Sequence, residues 1–396
     1  MWVRIKDIAI SELGKTLDKG KNSGELNDYL CALNVKWGAF DLTTVKQILL
    51  EDKEKERYLV RKGDLLICEG GDVGRAAIWE NEKEIYYQNA LHRVRFKGGI
   101  DQYFYLYALQ YYKHLGFIDD VSGGVTIKHF TQNSMQKLLF PLPPLTEQKR
   151  IADSIVQWFA LIDEIEANKK DLQEYIKQTK SKVLDLAIHG KLVPQDPNDE
   201  PAIDLLKRIN PSFKPCDTSH YENLPETWCV VQIRDIAKTV TGSTPSKNNK
   251  GFYGGIFPFY KPSDLDAGRN VNEASEYLSE KGKQVSRVIP ANSIAVCCIG
   301  SIGKCGYIMQ AGTTNQQINT IIPFQNIYPL YIYYFCLSTS FVQQLLDKSS
   351  AVTIAIVNKS KLDSTFIPIP PLSEQKRIVE RIETIFAQLD TITAEL

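Results

Sequence analysis

Apolar residues recur along two stretches of this chain at alternating intervals of four and three. In the first, Ile151, Ile155, Trp158, Ile162, Ile165, Lys169, Leu172, Ile176, Thr179, Val183 and Leu186 follow that rhythm. In the second, Ile378, Ile382, Ile385, Leu389, Ile392 and Leu396 keep the same phase. A period of about 3.5 residues is the seam of a coiled coil, and two seams in one phase predict a mutual two-helix coil. Prolines 141, 143 and 144 hold the chain extended before the first helix, and Thr146 and Ser373 are placed to cap the two helix starts. His189-Gly190 and Pro194 end the first helix. Between the seams the pattern is mixed. Asp64–Cys68, Ala76–Trp79, Ser293–Cys297 and Thr320–Phe324 read as strands among Gly-rich turns. Tyr103–Leu115 and Pro329–Leu346 read as aromatic-rich helices, and Ala202–Ile209 as a short one inside a proline-rich connection.

The chain also repeats itself. Pro-Leu-Pro-Pro-Leu-Thr-Glu-Gln-Lys-Arg-Ile at 141–151 returns as Pro-Ile-Pro-Pro-Leu-Ser-Glu-Gln-Lys-Arg-Ile at 368–378, nine of eleven positions identical. Val125-Thr126-Ile127 matches Val352-Thr353-Ile354, Gly71–Arg75 matches Gly300–Lys304, and Trp2–Ala9 matches Trp228–Ala237. A unit of about 225 residues is duplicated in tandem. The expected fold is α+β: two globular mixed α/β domains separated by an antiparallel two-helix coiled coil with pseudo-twofold symmetry. The boundaries are 1–145, 146–192 for the first helix, 193–227 for a linker, 228–367 and 368–396. The first helix outruns the second, so its later part, Leu172 to Leu186, is expected to lack a partner within the chain.

Composition narrows the classes. The 396 residues carry 47 basic and 47 acidic groups, so net charge announces no polyanion partner. No signal peptide opens the chain, and the run Ile327–Leu337 is too short to span a bilayer. Eight cysteines without Cys-x-x-Cys spacing read as reduced thiols of a cytoplasmic protein. There is no phosphate-binding Gly-x-x-x-x-Gly-Lys-Ser/Thr loop, no nucleophile elbow, no His-Glu-x-x-His and no methyltransferase Pro-Pro motif flanked by Asp or Asn and an aromatic. The reading is non-catalytic, without a catalytic or metal site or a cofactor in this chain.

Polar clusters recur at matching places in the two units. Asp72 and Arg75 lie in the first Gly-x-x-Gly turn, and Ser301 and Lys304 in the second. Such a turn suits phosphate, or is simply a β-turn that needs glycine torsions. Gln88, Asn89 and His92 stand opposite Asn315, Gln316 and Gln317. Dense amides suit base readout in a DNA groove, or cap strand ends. Ser243, Thr244, Lys247 and Lys261 occupy loops of the second unit, Lys21 the comparable stretch of the first, and Lys128 joins the candidates. Non-matching polar loops on matching scaffolds are what two readers of different sequences require.

Together with Ala187–Val193, Leu224–Trp228 and Thr241–Ser246, the duplicated Pro-Pro-Leu-x-Glu-Gln motif resembles the specificity subunits of type I restriction–modification systems. The resemblance implies two target recognition domains, each reading one half of a split double-stranded DNA site, and helices that set the spacing and dock methyltransferase subunits, two of them expected. It also implies S-adenosylmethionine on those modification subunits, ATP and Mg on a restriction subunit, and no membrane. Two rival classes remain at this stage: a stand-alone nuclease or methyltransferase with an atypical site, and a coiled-coil scaffold that binds only proteins.

Overall fold

The computed structural model describes residues 1–18, 20, 22–124, 128–216, 221, 223–349 and 356–396. The matching triplets 125–127 and 352–354, and Lys21, lie outside the described residues. The chain forms two compact units, 1–166 and 167–396.

In unit 1, four antiparallel strands, β1 (Ala9–Leu13), β2 (Leu65–Cys68), β3 (Ala76–Ile78) and β4 (Leu91–Phe96), form a sheet in the order β1-β4-β2-β3. A second sheet orders Lys46–Leu50, Glu25–Leu30, Ile85–Tyr87 and Leu59–Val60, with one parallel pairing among antiparallel ones. Residues on both faces of β2 are buried, so it reads as a continuous apolar run rather than an alternation. Helix α1 (Gln102–His114) packs Phe104, Tyr105 and Leu109 into the core of the first sheet. Trp2–Arg4 pairs antiparallel with Leu139–Pro141, which leads into the long helix α2 (Leu145–Ile188).

After α2 comes α3 (Ala202–Ile209), the expected short helix. Unit 2 then rebuilds the same plan. Strands β5 (Ala237–Thr241), β6 (Ser293–Cys297), β7 (Cys305–Ile308) and β8 (Ile318–Pro323) are ordered β5-β8-β6-β7. The second sheet again holds one parallel pair, Phe259 with Thr313 and Tyr260 with Thr314. Cys229–Gln232 pairs with Phe366–Ile369 ahead of α5 (Leu372–Glu395), while α4 (Pro329–Cys336) takes the place of α1. The aromatic run expected as one helix is broken after Cys336, where Ser338 caps Thr339–Asp347 by accepting from the Phe341 N–H at 3.3 Å.

The repeated Glu-Gln motif has a structural task that the sequence reading missed. Gln148 and Gln375 are fully buried in the first turns of α2 and α5. Gln375 donates to the Pro370 carbonyl at 2.9 Å and accepts from the Tyr328 N–H at 2.9 Å. Gln148 donates to the Pro143 carbonyl at 2.8 Å and accepts from the Asp101 N–H at 3.1 Å. Each glutamine ties a helix start to the start of the aromatic helix before it. Ser373 is not the expected cap: its hydroxyl bonds the Asp199 carboxylate, and the N-cap position is Pro371.

Within unit 2, α5 runs antiparallel to the later part of α2. Lys180 pairs with Asp390 and lies 5.3 Å from the Phe386 ring, while Gln195, just beyond α2, donates to Glu374 in the first turn of α5. Val183, Leu184, Ala187 and Ile188 share a core with Ile378, Val379 and Ile382. The expectation for Leu172 to Leu186 is therefore overturned. An antiparallel helix that begins where α2 ends must cover the distal half of α2, and it is Trp158, Phe159, Ile162 and Ile165 that stand exposed.

Candidate nucleic-acid interface

Two loops come together at the same place in each unit. In unit 1 the segment after β1 meets the segment before β4. Lys15 N–H donates to Tyr87 O and Asn89 N–H to Lys15 O, at 3.1 and 2.8 Å, and Asn89 Nδ2 reaches Thr16 Oγ1 at 3.5 Å. In unit 2 the segment after β5 meets the segment before β8. Ser243 N–H donates to Thr314 O at 2.8 Å, and the Thr244 hydroxyl bonds Gln316. The approach is so close that a glycine is needed in both loops. A Cβ on Gly14 would stand 2.2 Å from Gln88 O, and one on Gly242 would stand 2.0 Å from Asn315 O.

The duplicated loop pair is also where the units diverge. On the unit 2 side a groove of about 380 Å³ runs along β5, lined by Lys238, Thr241, Arg287 and Lys359. Arg287 donates to the Thr241 carbonyl at 2.9 Å, and its N–H bonds Ser243 Oγ at 3.3 Å. These cations flank the Ser243–Lys247 loop that the sequence singled out. At the positions matching Lys238 and Lys359, unit 1 has an exposed Ile10 and Gln132, whose amide donates to Ser11 O at 2.7 Å. Arg287 and Lys359 lie far from the loop in sequence, and only the sheet brings them beside it.

The type I restriction modification DNA specificity domain is the family whose model matches this chain, over residues 1–174 and again over 225–396. The chain belongs to that family. Among its relatives, the EcoBI type I restriction enzyme specificity subunit of Escherichia coli is 26% identical over 356 residues, 86% of this chain and 70% of the relative. The HindI specificity subunit of Haemophilus influenzae is 27% identical over 63% of this chain and 59% of the relative. The solved HsdS subunit from Thermoanaerobacter tengcongensis shares the fold, with a TM-score of 0.62 at 16% identity over 99% of this chain and 91% of that one. A chain from a type I R-M system complex gives 0.67 at 18% identity, covering 100% and 92%. Specificity domains of this family are non-catalytic, and among the described residues no group of His, Cys, Asp or Glu could hold a metal ion. No described helix is long and apolar enough to cross a membrane.

Within this specificity-domain scaffold the candidate residues separate into those the fold consumes and those it exposes. His92 is wholly buried on β4, with Nε2 2.9 Å from the Phe130 carbonyl, and burial lowers its pKa. Like Leu91, Arg93 and Val94 beside it on β4, it is out of reach of solvent in this structure. Arg75 turns inward to donate to the Ala32 carbonyl at 2.8 Å, and Asp72 pairs with Lys113 at 3.4 Å. Lys304 pairs with Asp266 at 2.7 Å. The two Gly-x-x-Gly turns use their own amides. Gly74 N–H donates to Cys68 O, Gly303 N–H to Cys297 O, and Arg75 and Lys304 N–H to Asp72 and Ser301 O. These turns are hairpin connections, which is the structural alternative to a phosphate cradle.

Asn315 is nearly buried and spends its amide on Gln317, donating to Oε1 at 2.9 Å and accepting from the Gln317 N–H at 3.1 Å. It shapes the loop that carries Gln316. Gln88 is half-buried and gives its N–H to Leu30 O. Lys261 pairs with Glu276 at 2.8 Å, and Lys128 is exposed with Nζ 3.1 Å from the Asp119 carbonyl. Thr244, Lys247, Ser301 and Gln316 are exposed, Ser243 half-buried.

Proposed function

We propose that this chain is the sequence reader of a type I restriction–modification complex, with each unit presenting its paired loops to one half of a split double-stranded DNA site. The observation that carries this reading is the loop pair itself. Its backbone geometry is repeated, down to a glycine that admits no Cβ in either unit, while the side chains around it differ. A shared scaffold with divergent polar ends is the arrangement that direct readout needs, since base edges are told apart by the placement of donors and acceptors. The groove of Lys238, Arg287 and Lys359 supplies sequence-independent attraction to phosphate in unit 2.

Methyl transfer, with S-adenosylmethionine, belongs in this reading to two modification subunits, and ATP-driven cleavage to a restriction subunit. The helices set the spacing between half-sites and dock the methyltransferases. The test is a domain exchange. Replacing residues 221–367 with those of another family member, and sequencing the methylated bases in cells that also carry the modification subunits, should change one half of the methylated site and leave the other. A change in both halves, or in neither, would overturn the modular reading.

A further inference from the structure

Among the described residues Ile256 is the most exposed large apolar side chain, at 88%. A bulge builds its position. Within the strand Tyr253–Tyr260, Tyr253 and Phe257 both pair with Leu278, so residues 254–256 loop out between them. Gly254 takes φ +78°, and a Cβ on Gly255 would stand 2.2 Å from Leu278 O. Glycine is favoured at the first place and required at the second, which leaves Ile256 as the one side chain the bulge presents. Unit 1 keeps the feature. Leu30 and Tyr260 hold the same place, each accepting from an N–H of its loop pair, Gln88 at 3.0 Å and Asn315 at 3.1 Å. Counting back from them sets Leu26, 63% exposed, opposite Ile256. A single exposed aliphatic needs no explanation, but one held at the same place in both repeats does.

The surroundings of Ile256 are basic and continuous with the Ser243–Lys247 loop. The Tyr253 hydroxyl donates to the Pro245 carbonyl at 2.6 Å, and Ser279 N–H donates to Phe252 O at 2.9 Å, which brings the short helix Glu280–Gln284 alongside. Lys247, Lys250 and Lys281 are exposed, and among the described residues none of them has an ion pair. Lys283 lies 4.6 Å from the Phe257 ring and pairs with Glu280 at 3.6 Å. At the corresponding edge of unit 1, Lys53 and Lys55 are paired with Glu51 and Glu25 at 2.6 and 2.8 Å. The edge is therefore left basic in unit 2 alone. We propose that Ile256 reads a thymine of the half-site, packing on its C5 methyl in the major groove while the unpaired lysines take the flanking phosphates. This contact rests on the reading of unit 2 as a sequence reader. The occupant follows from two chemistries side by side. Unpaired cations select a polyanion. An aliphatic side chain makes no hydrogen bonds, so the thymine methyl is the group on a base edge that it can tell apart.

The experiment uses the full chain assembled with its modification subunits, and a duplex carrying the site they methylate, found by sequencing. Each thymine in the half assigned to unit 2 is replaced in turn by deoxyuridine, which lacks only the methyl. One replacement should weaken binding by about fourfold, the equivalent of about 0.8 kcal/mol for a buried methyl. Ile256→Ser should weaken binding of the thymine duplex as much or more, and the same replacement should then cost the variant nothing further. Lys250→Ala with Lys281→Ala should weaken all duplexes alike and lower the salt slope by about two. All three positions are exposed, so the substitutions spare the fold. A half-site without thymine in either strand, or Ile256→Ser binding as tightly as the native chain, would overturn the contact and leave the half-site reading standing. Additive losses from Ile256→Ser and deoxyuridine would do the same, because a side chain wedged between base pairs acts without the methyl. Unchanged DNA binding with lost assembly in Ile256→Ser would assign the patch to a protein and overturn it too. A complex with no preference for its methylated site would instead remove the reading of unit 2 itself, and the contact with it.

Discussion

Removing the buried amide of Gln375 tests how the repeated motif holds a unit together. Gln375→Ala deletes two hydrogen bonds at once and leaves the Pro370 carbonyl and the Tyr328 N–H without their partner in the core. A buried polar group stripped of its partner costs about 1–3 kcal/mol, so the two together should cost about 2–5 kcal/mol. Gln148→Ala removes the same pair of bonds in unit 1, from Pro143 and Asp101. Tyr328 and Asp101 are alike half-buried, but Pro143 is half-buried where Pro370 is buried, so water can replace part of the loss at that carbonyl and the cost should be smaller. Gln375→Glu is the sharper probe. A carboxylate still accepts from Tyr328 but has no proton for the Pro370 carbonyl, so at neutral pH it should be no better than alanine. Urea unfolding followed by tryptophan fluorescence measures the loss, and hydrogen exchange at Tyr328 and Asp101 assigns it to a unit. A shift below about 1 kcal/mol for Gln375→Ala, or a larger one for Gln148→Ala, would refute the assignment of these bonds.

Burial holds the His92 imidazole neutral in the folded unit, with its pKa below the ordinary 6.5. The unfolded chain takes up a proton that the folded one does not, so unit 1 is fully stable above pH 6.5 and loses stability as pH falls through that value. The slope is at most about 1.4 kcal/mol per pH unit. Thermal unfolding between pH 7 and 5 should show this, and His92→Gln should flatten it; an unchanged slope would assign the dependence elsewhere. Gly303 has φ +82° and a Cβ there would meet Val342 at 3.0 Å, whereas Gly300, φ +81°, faces open space. Gly300→Ala should therefore cost only the left-handed strain, about 1 kcal/mol, and Gly303→Ala distinctly more. Equal melting temperatures for the two variants would contradict that.

The seams, the helix ends and the duplication were legible because each is a periodic or local signal. Gly190, φ +67°, follows the end of α2 at Ile188, just past the last seam position, Leu186. What the periodicity could not name is the partner of each stretch of seam. That follows from chain direction, since α5 starts beside the end of α2 and its 24 residues reach back only over the distal half. The candidate site was legible as loops and not as side chains. His92 and Arg75 are polar and were read as binding candidates, but His92 is buried on β4 and Arg75 folds back on its hairpin, so His92 Nε2 and Arg75 Nη2 meet backbone carbonyls instead. Lys238, Arg287 and Lys359 went unnoticed because a groove made by residues from three separate segments, spread over more than a hundred positions, leaves no local trace.

Identical residues in the two repeats have different surroundings, and the difference separates what the motif requires from what one unit has added. Gln148 and Gln375 are both fully buried and make matching bonds, so the helix-start clamp belongs to the shared plan. The neighbouring glutamates do not match. Glu374 is buried, accepting from Trp228 Nε1 at 2.9 Å and from Gln195 at 2.6 Å, and its pKa is raised by burial. Beside it Arg377 forks onto Asp199 at 2.6 and 3.2 Å. Gln195 and Asp199 belong to the connection after α2, and Trp228 closes it. In unit 1 the residue matching Trp228 is Trp2, which is 65% exposed. The glutamate of unit 2 is thus held by the connection that crosses the start of α5, whereas its counterpart Glu147 in unit 1 is half-buried beside the start of α2.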